Sequence, residues 1–237
     1  MPAIVEGDDE GLYVLKFRGS GQGPKALIAE LVAGEIARAL GLDVPEIVFA
    51  KLDGALLART EADPEIQALI RASDGLNLAL DYLPGAVTYD ALAWRADPDV
   101  ASRIVWFDAY VTNLDRTPKN VNLLLWHGRL RLIDHGAALY FHHDWSTAAG
   151  RAHDPFERVR DHVLLPRASR IAEVDEALAA RLTPEVLRAI VAEVPAEWLT
   201  DAGGEGRRHE YVDLLRERLV APRRFVEEAL RARARLL

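Results

Sequence analysis

The chain contains no cysteine. This absence excludes disulfide bridges, thiol nucleophiles, iron–sulfur clusters and every zinc site that uses cysteine ligands. No apolar run is long enough to span a bilayer, because charged or amide side chains interrupt the longest ones. The amino terminus also lacks the basic region and apolar stretch of a secretory signal. We therefore expect a cytoplasmic protein that has no membrane partner.

Lysine is scarce as well: four of the 29 basic residues are lysines, at positions 16, 25, 51 and 119, and the others are arginines. A lysine that persists in so arginine-rich a composition is a candidate for a role that arginine cannot fill. The 37 acidic residues give a formal net charge of −8, which argues against direct binding to a nucleic-acid backbone. What the chain does have is 50% hydrophobic residues over 237 positions, enough to bury a substantial core.

Strand patterns fill the first third of the sequence, and helix patterns fill most of the rest. β-Branched and aromatic runs predict strands, and apolar residues at spacings of three and four predict helices. Asp53-Gly54 is the strongest short hairpin signal in the chain. The predicted strands lie at residues 2–17 (two strands around an acidic turn), 44–50 with 55–58, 76–83, and 121–126 with 129–133. The predicted helices lie at Lys25–Leu40, 64–72, 99–112 and over most of the chain beyond residue 155, including one that starts at Pro184 with Thr183 as the N-cap.

The two parts meet at a strand that ends in Pro84-Gly85. We therefore predict an α+β fold of two lobes, a strand-rich lobe over residues 1–83 and a helical lobe over residues 84–237. A segment that joins two lobes lines the cleft between them, and its free backbone groups can hydrogen-bond the edge of an adenine ring. Asp81 and Leu83 lie in this segment, although a simple linker would have a similar composition.

A polar loop at residues 113–120 carries Asp115 and, five positions later, Asn120. A strand-turn-strand then leads to Asp134, which follows an apolar strand. Phosphoryl transfer needs this set of oxygens: one carboxylate orients or deprotonates the acceptor, while an amide oxygen and a second carboxylate hold magnesium ions. Oxygen ligands suit Mg²⁺, which takes few protein ligands. Turns also gather Asn, Asp and Pro, so a plain structural turn remains the alternative.

Lys16 ends a strand whose neighbouring residues are all apolar. It is either an edge residue that reaches solvent or a phosphate ligand paired with a carboxylate of the following helix. That helix supplies Glu30 between Ile28 and Leu31, and Glu35 is the competing partner on a different helical face.

Other catalytic motifs find little support. His142, His143 and His153 could ligate a transition metal, but adjacent histidines rarely share one ion; a substrate-facing loop is the alternative interpretation of this stretch. Neither a G-x-S-x-G elbow nor a G-x-G-x-x-G sequence after a strand is present, so hydrolase and Rossmann folds are not indicated.

Taken in order, these elements resemble the HipA-like kinases, and more distantly the phosphatidylinositol kinases and eukaryotic-type protein kinases. The resemblance runs from about Leu12 to Phe141 and is strongest to the small bacterial members that stand alone. The segments that carry it are Tyr13-Val-Leu-Lys16-Phe, Ala29-Glu30, Gly41-Leu-Asp-Val-Pro45, Asp81-Tyr-Leu-Pro-Gly85, Asn113-Leu-Asp115-Arg116 with Asn120, and Ile133-Asp134-His-Gly136.

This resemblance implies a two-lobed protein-kinase-like fold. It also implies an ATP-dependent phosphotransferase, with one or two Mg²⁺ ions, that acts on a hydroxyl group of a protein or small-molecule acceptor. The implied site residues are Lys16 and Glu30 for the phosphates, Asp81 and Leu83 for the adenine through their backbones, Asp115 for catalysis, and Asn120 and Asp134 for the metal.

A second function stays open, namely a pseudokinase-type module that binds nucleotide or protein without turnover. Loops of this family usually have His two positions after the catalytic aspartate, where this chain has Thr117. Family members also carry a strand and a Gly-rich phosphate loop ahead of the lysine strand, whereas 15 residues precede Lys16 here. We therefore expect the native chain to extend upstream of Met1. Gly19-Ser-Gly-Gln-Gly23 could substitute, since it precedes a helix start suited to phosphate. It follows the lysine strand, however, and Pro24 stands where a P-loop has its second glycine.

Overall fold

The computed structural model describes residues 2–59, 61–199, 204 and 206–236. The strands are β1 (Pro2–Glu6), β2 (Leu12–Lys16), β3 (Ile47–Leu52), β4 (Gly75–Asp81), β5 (Val87–Thr88), β6 (Leu123–Trp126) and β7 (Arg129–Leu132). The α-helices are α1 (Pro24–Ala39), α2 (Gly54–Leu57), α3 (Pro64–Ala72), α4 (Pro98–Tyr110), α5 (Trp145–Ala148), α6 (Ile171–Arg181), α7 (Pro184–Ala192), α8 (Gly206–Arg218) and α9 (Arg224–Ala234). Within the described ranges, no helix is long and apolar enough to cross a membrane.

The first four strands form an antiparallel sheet in the order β1-β2-β4-β3. Strands β1 and β2 pair across the acidic turn, with Ile4 opposite Val14, so the two strands predicted for residues 2–17 are confirmed. Strand β4 is central and pairs with β2 on one side and β3 on the other. The last residue of β2, Lys16, is thereby held opposite Leu78.

The hairpin predicted at Asp53-Gly54 is wrong. Strand β3 pairs with β4 rather than with residues 55–58, most of which belong to the short helix α2. Asp53 is the N-cap of that helix, and its carboxylate accepts a hydrogen bond of 2.9 Å from the Leu56 N–H. Gly54 approaches α3 so closely that a Cβ there would lie 2.8 Å from the Ile70 carbonyl oxygen. The dipeptide begins a helix because Asp caps helices as readily as it forms turns.

Helix α1 is a core helix that contacts β4 and α7. It begins at Pro24, a favourable first helical residue, directly after Gly23, whose φ of 64° suits glycine. From Leu27 to Ala37 every residue except Glu35 is buried. A carboxylate inside this run, Glu30, must therefore find a partner within the protein.

Helix α4 is the centre of the helical part, and every residue from Ile104 to Tyr110 is fully buried. Asp97 caps its amino end by accepting hydrogen bonds of 2.8 Å from the Asp99 N–H and 3.2 Å from the Val100 N–H. Helices α6 and α9 pack against it. The loop that follows α4 consequently starts from a rigid support.

A second antiparallel sheet has the order β5-β6-β7. The predicted hairpin about His127-Gly128 is confirmed, and both turn residues have positive φ, 48° and 73°, as a type I′ turn requires. The predicted N-cap at Thr183 is confirmed as well, since its side chain accepts from the Val186 N–H at 3.3 Å. Strand β7 ends two residues before Asp134.

Candidate active site

Strand β2 and helix α1 bring a lysine and a glutamate together. The Lys16 ammonium lies 3.3 Å from Glu30 Oε2, and Glu30 is 1% exposed. The competing partner, Glu35, instead lies with its carboxylate 3.6 Å from Arg38 Nε. The structure therefore pairs Lys16 with Glu30.

Asp134 joins this pair from the turn after β7. Its φ of 56° is left-handed, a conformation that costs energy for a residue other than glycine. Its Oδ1 accepts a hydrogen bond of 2.7 Å from Lys16 Nζ. The backbone N–H of the next residue, His135, donates to Glu30 Oε2 at 3.0 Å. Lys16, Glu30 and Asp134, which we call the charged cluster, thus tie this turn to both β2 and α1.

Charge outweighs burial in setting the protonation of the cluster. Burial alone would raise the pKa of Glu30, but Lys16 and His135 lower the pKa to about 2. Burial also opposes the charged form of Lys16, yet Glu30 and Asp134 hold its pKa above the ordinary value. Both side chains are therefore charged at neutral pH, and the site presents a fixed cation, which suits a phosphate group.

Asp115 lies on the loop after α4 and lines the same cavity as the charged cluster. We call this space, of about 280 Å³, the Lys16 cavity. Side-chain amides fix the backbone of the loop: Asn113 Oδ1 accepts from the Asp115 N–H at 3.2 Å, and Asn122 Nδ2 donates to the Asp115 carbonyl at 3.0 Å. Four of the predicted site residues are thereby brought to one place.

The Gly-rich loop between β2 and α1 forms another wall of the Lys16 cavity, through Ser20, Gly21 and Gln22. Gly21 has a φ of 55° and nothing within 4 Å of a Cβ position, so the requirement there is conformational rather than steric. The first turn of α1 follows directly. Unpaired N–H groups at a helix start favour anions, and phosphate binding by this loop stays a prediction.

Behind the loop that carries Asp115 lies a buried ion pair that sequence analysis misses. Asp108 Oδ2 accepts from Arg116 Nε at 2.6 Å, and both side chains are 0% exposed. His162 Nδ1 accepts from the Leu164 N–H at 3.0 Å, so its proton is on Nε2, which donates to Asp108 Oδ2 at 2.9 Å. Burial would raise the pKa of Asp108, but Arg116 and His162 hold that pKa well below its usual range. The sequence signal for this ion pair is the carboxylate of Asp108 within the apolar run of α4, because a buried charge needs a partner.

Arg116 links Asp108 to the two segments that carry the cavity residues Asp115 and Asp134. It directly follows Asp115 in the chain, and its Nη1 donates to the Asn122 carbonyl. The same atom lies 3.4 Å from the carbonyl oxygen of Ile133, the residue before Asp134. The relative placement of the two cavity carboxylates therefore depends on this arginine.

The predicted metal ligands are only partly brought together. Asp134 lines the Lys16 cavity with its side chain 46% exposed. Asn120 is exposed and is not among the described residues that line the cavity. In the part of the chain that the structure describes, no group of three or more His, Asp or Glu side chains could hold a metal ion. A small number of protein oxygen donors is nevertheless sufficient for Mg²⁺, because this ion binds one or two carboxylates and completes its shell with water and phosphate oxygens.

Asp81 and Leu83 lie at the end of β4 and just beyond it. The Asp81 N–H donates to the Glu46 carbonyl at 2.9 Å, and Leu83 is 8% exposed. Trp126 Nε1 donates to the Pro84 carbonyl at 3.0 Å, which attaches this segment to β6. Neither residue is among the described ones that line the Lys16 cavity, so contact with adenine stays a prediction.

The histidines after Asp134 have structural partners. His142 is buried with Nδ1 at 3.0 Å from the Tyr211 hydroxyl, and burial lowers its pKa to about 3. His153 Nε2 lies 2.8 Å from a Glu217 carboxylate oxygen at the surface. The other ring nitrogen of His142, Nε2, is buried and has no hydrogen-bond partner among the described residues.

Comparisons with known proteins bear on the family and the fold. A sequence model of the family described as HipA-like kinase matches residues 1–221. Among solved structures, the fold is similar to that of the proinflammatory kinase CtkA of Helicobacter pylori, with a TM-score of 0.59 and 13% identity, over 100% of this chain and 95% of that chain. No curated protein matches the sequence. At this identity the structural likeness concerns the fold, which is the α+β, two-lobed kinase fold with a small strand-rich part and a helical part.

Proposed function

The chain belongs to the HipA-like kinase family, and we propose that it transfers the γ-phosphoryl group of ATP to a hydroxyl group of a protein or small-molecule acceptor. One observation carries the proposal: Asp115 and the charged cluster line a single cavity. Catalysis of phosphoryl transfer consists mainly of placement and charge stabilisation, and these are the properties that this cavity offers. In the proposal, residues 1–83 hold the nucleotide and residues 84–237 carry the catalytic loop.

Asp115 is proposed to orient the acceptor hydroxyl and to receive its proton. The hydroxyl oxygen forms a bond to the γ-phosphorus while the bond from that phosphorus to the ADP oxygen breaks, so a phosphate ester and ADP are released. This role depends on precise placement. The hydrogen bonds of Asn113 and Asn122 to the Asp115 backbone support it.

Lys16 is proposed to stabilise the phosphate oxygens, with Glu30 keeping its ammonium charged and in place. An ammonium is a compact cation with three donors, and the pKa of Lys16 lies above its ordinary value. Ser20, Gly21 and Gln22 border the same space, where backbone N–H groups would add further donors.

Asp134 and, by prediction, Asn120 would hold Mg²⁺. A bound Mg²⁺ would neutralise charge on the β- and γ-phosphates. Two observations support the assignment of Asp134: its carboxylate lines the Lys16 cavity, and its backbone has a left-handed φ of 56°. Strained backbone of this kind is typical of functional sites. Asp81 and Leu83 would bind the adenine through backbone groups, and this part of the proposal rests on the sequence resemblance.

A phosphotransfer assay with labelled ATP and Mg²⁺, run over proteins and small hydroxyl compounds, tests the function. Asp115→Asn keeps the side-chain size but cannot accept the proton, so turnover should fall by about 10²-fold or more while ATP still binds. Asp161→Asn removes an exposed carboxylate that lies 3.4 Å from Arg158, and it should retain activity. Unchanged turnover in Asp115→Asn would reject the catalytic role of that residue.

A binding module without turnover is the second candidate. Thr117 favours it, and so does the engagement of the Lys16 ammonium by Asp134 at 2.7 Å, because a phosphate would have to compete for that cation. Thermal unfolding with Mg·ATP separates a kinase or a nucleotide-binding module from a module that binds protein alone. At a ligand concentration of 100 times Kd, binding adds about 2.7 kcal/mol, which raises the Tm by about 5–10 °C in a chain of this size.

The kinase and the binding module differ in one readout. A module that binds nucleotide shares with the kinase the rise in Tm and its loss in Lys16→Met, but only the kinase forms a phosphate ester. A Tm that Mg·ATP leaves unchanged would contradict both of these and favour a module that binds protein.

A further inference from the structure

A second cavity, of about 540 Å³, lies on a different part of the molecule. None of the described residues that line it also lines the Lys16 cavity. We call it the arginine cavity, because Arg95, Arg103, Arg129 and Arg167 all border it. Its walls come from residues 41–43 after α1, residues 94–97 before α4, the first two turns of α4, strand β7 with the turn before it, and Arg167.

The walls of the arginine cavity are cross-linked. Arg103 Nη2 donates to the Leu40 carbonyl at 2.6 Å, which joins α4 to the end of α1. The Leu132 N–H donates to the Asp43 carbonyl at 2.8 Å, and the Asp43 carboxylate lies 2.8 Å from Arg129 Nη2. The cavity is therefore largely formed before any ligand arrives, as small-molecule sites usually are.

The arginine cavity carries a surplus of positive charge. Its four guanidinium groups accompany two carboxylates, those of Asp43 and Asp97. The Asp97 carboxylate caps α4, and two arginines share the carboxylate of Asp43. Both carboxylates are thus already engaged. In a chain whose formal net charge is −8, a concave surface of this sign favours an anionic ligand.

Two of the four arginines have guanidinium N–H groups that donate to no acceptor among the described residues. Arg167 Nε donates to the Ala96 carbonyl at 3.3 Å, while its terminal NH₂ groups make no hydrogen bond to the described chain. Arg95 is exposed, and it has no hydrogen-bond or ion-pair partner among the described residues. A guanidinium with free terminal N–H groups binds a phosphate through two parallel hydrogen bonds.

The remaining lining is apolar. Leu42, Leu130 and Leu132 are 8%, 6% and 1% exposed, and Trp94 lies beside Arg95 at the cavity. A cavity of this volume accommodates a small organic molecule. We propose that the arginine cavity binds a small phosphate monoester with an apolar or aromatic body, with the phosphate held by Arg95 and Arg167 and the body against the leucines and Trp94.

Isothermal titration of the full chain with 1-naphthyl phosphate tests this site. We expect binding that persists in Lys16→Met, which alters only the Lys16 cavity. Affinity should fall about tenfold or more in the Arg95→Ala/Arg167→Ala double variant. Arg188→Ala, which removes an exposed arginine paired with Glu185 on α7 at 2.6 Å, is the control for charge and should bind normally.

Two further arms separate the contributions of the phosphate and the apolar body. Inorganic phosphate and 1-naphthol should each bind more weakly than the ester. Arg95→Glu, at an exposed position that tolerates substitution, should weaken binding even if the double variant folds poorly. The proposal is overturned if wild type does not bind the ester, if Lys16→Met abolishes binding, if both arginine variants bind normally, or if 1-naphthoate binds as tightly.

Discussion

Glu30 and Glu35 lie five residues apart on α1, but Glu30 pairs with Lys16 and Glu35 lies next to Arg38. Glu30→Gln keeps the side-chain shape and an acceptor for the His135 N–H, but it removes the negative charge 3.3 Å from Lys16. A part-buried cation that loses one of its two carboxylates is destabilised and less well placed. We expect Glu30→Gln to lower the free energy of unfolding by about 1–3 kcal/mol and to reduce kcat/KM for ATP about tenfold.

The matched control is Glu35→Gln on the same helix. Glu35 is half-buried and lies 3.6 Å from Arg38, a surface-type pair that contributes about 0–1 kcal/mol. Urea unfolding and steady-state kinetics with varied ATP measure both effects. Equal losses of unfolding free energy and of kcat/KM in the two variants would show that the contact of Glu30 with Lys16 contributes no more than the surface pair of Glu35 with Arg38.

Local sequence patterns could identify some site residues and not others. Lys16 and Asp134 each follow apolar residues of a strand. A charged side chain at such a position needs a partner or a ligand, so the pattern indicates a functional residue. His162 reaches Asp108 across 54 positions, and no local pattern reports such a contact. The spacing of Asn120 from Asp115 predicts a metal ligand, but spacing does not determine which way a side chain faces.

At the scale of elements, helix starts are the most predictable feature. The helix predicted for residues 64–72 matches α3 (Pro64–Ala72), because Asp63 caps it and proline fits its first turn. The same chemistry misleads at Asp53-Gly54. There the choice between a hairpin and a helix is made by packing against α3 and by the pairing of β3 with β4, which a dipeptide cannot encode.

Asp97 tests how much one cap contributes to α4. Its carboxylate accepts from the N–H groups of Asp99 and Val100, so Asp97→Ala should lower the free energy of unfolding by about 1 kcal/mol. Asp97→Asn keeps an acceptor oxygen and should lose only a fraction of this. Urea unfolding at pH 7 measures both. If Asp97→Ala is as stable as wild type, the cap does not stabilise α4.

At the scale of the whole molecule, the loop that carries Asp115 and Arg116 is held between distant segments. Asp108 comes from α4, Arg116 from the loop itself, and His162 from a segment far along the chain. The Val163 N–H also donates to the Arg116 carbonyl at 3.0 Å. Because fully buried charges are tolerated only when they are paired, the global fold and the geometry of the loop depend on the same contacts.

This coupling should appear in the dependence of stability on pH. Arg116 and His162 hold the pKa of Asp108 well below the 3.8 of an unperturbed aspartate. The folded state therefore binds fewer protons than the unfolded state at acidic pH. The stabilisation by Asp108 is complete above about pH 5, and it is lost as the pH falls below about 4 toward the lowered pKa.

Asp108→Asn removes this titrating group and leaves the buried Arg116 guanidinium without its carboxylate. At pH 7 it should lower the free energy of unfolding by about 3–5 kcal/mol. The difference from wild type should then shrink between pH 5 and pH 3, because wild type loses the contribution of Asp108 in that range and the variant has none to lose. Urea titrations at a series of pH values measure this. Asp161→Asn, at an exposed ion pair with Arg158, should differ little from wild type throughout. A difference for Asp108→Asn that stays constant down to pH 3 would mean that the pKa of Asp108 is the same in the folded and unfolded states, and that its pairing does not link loop geometry to acid stability.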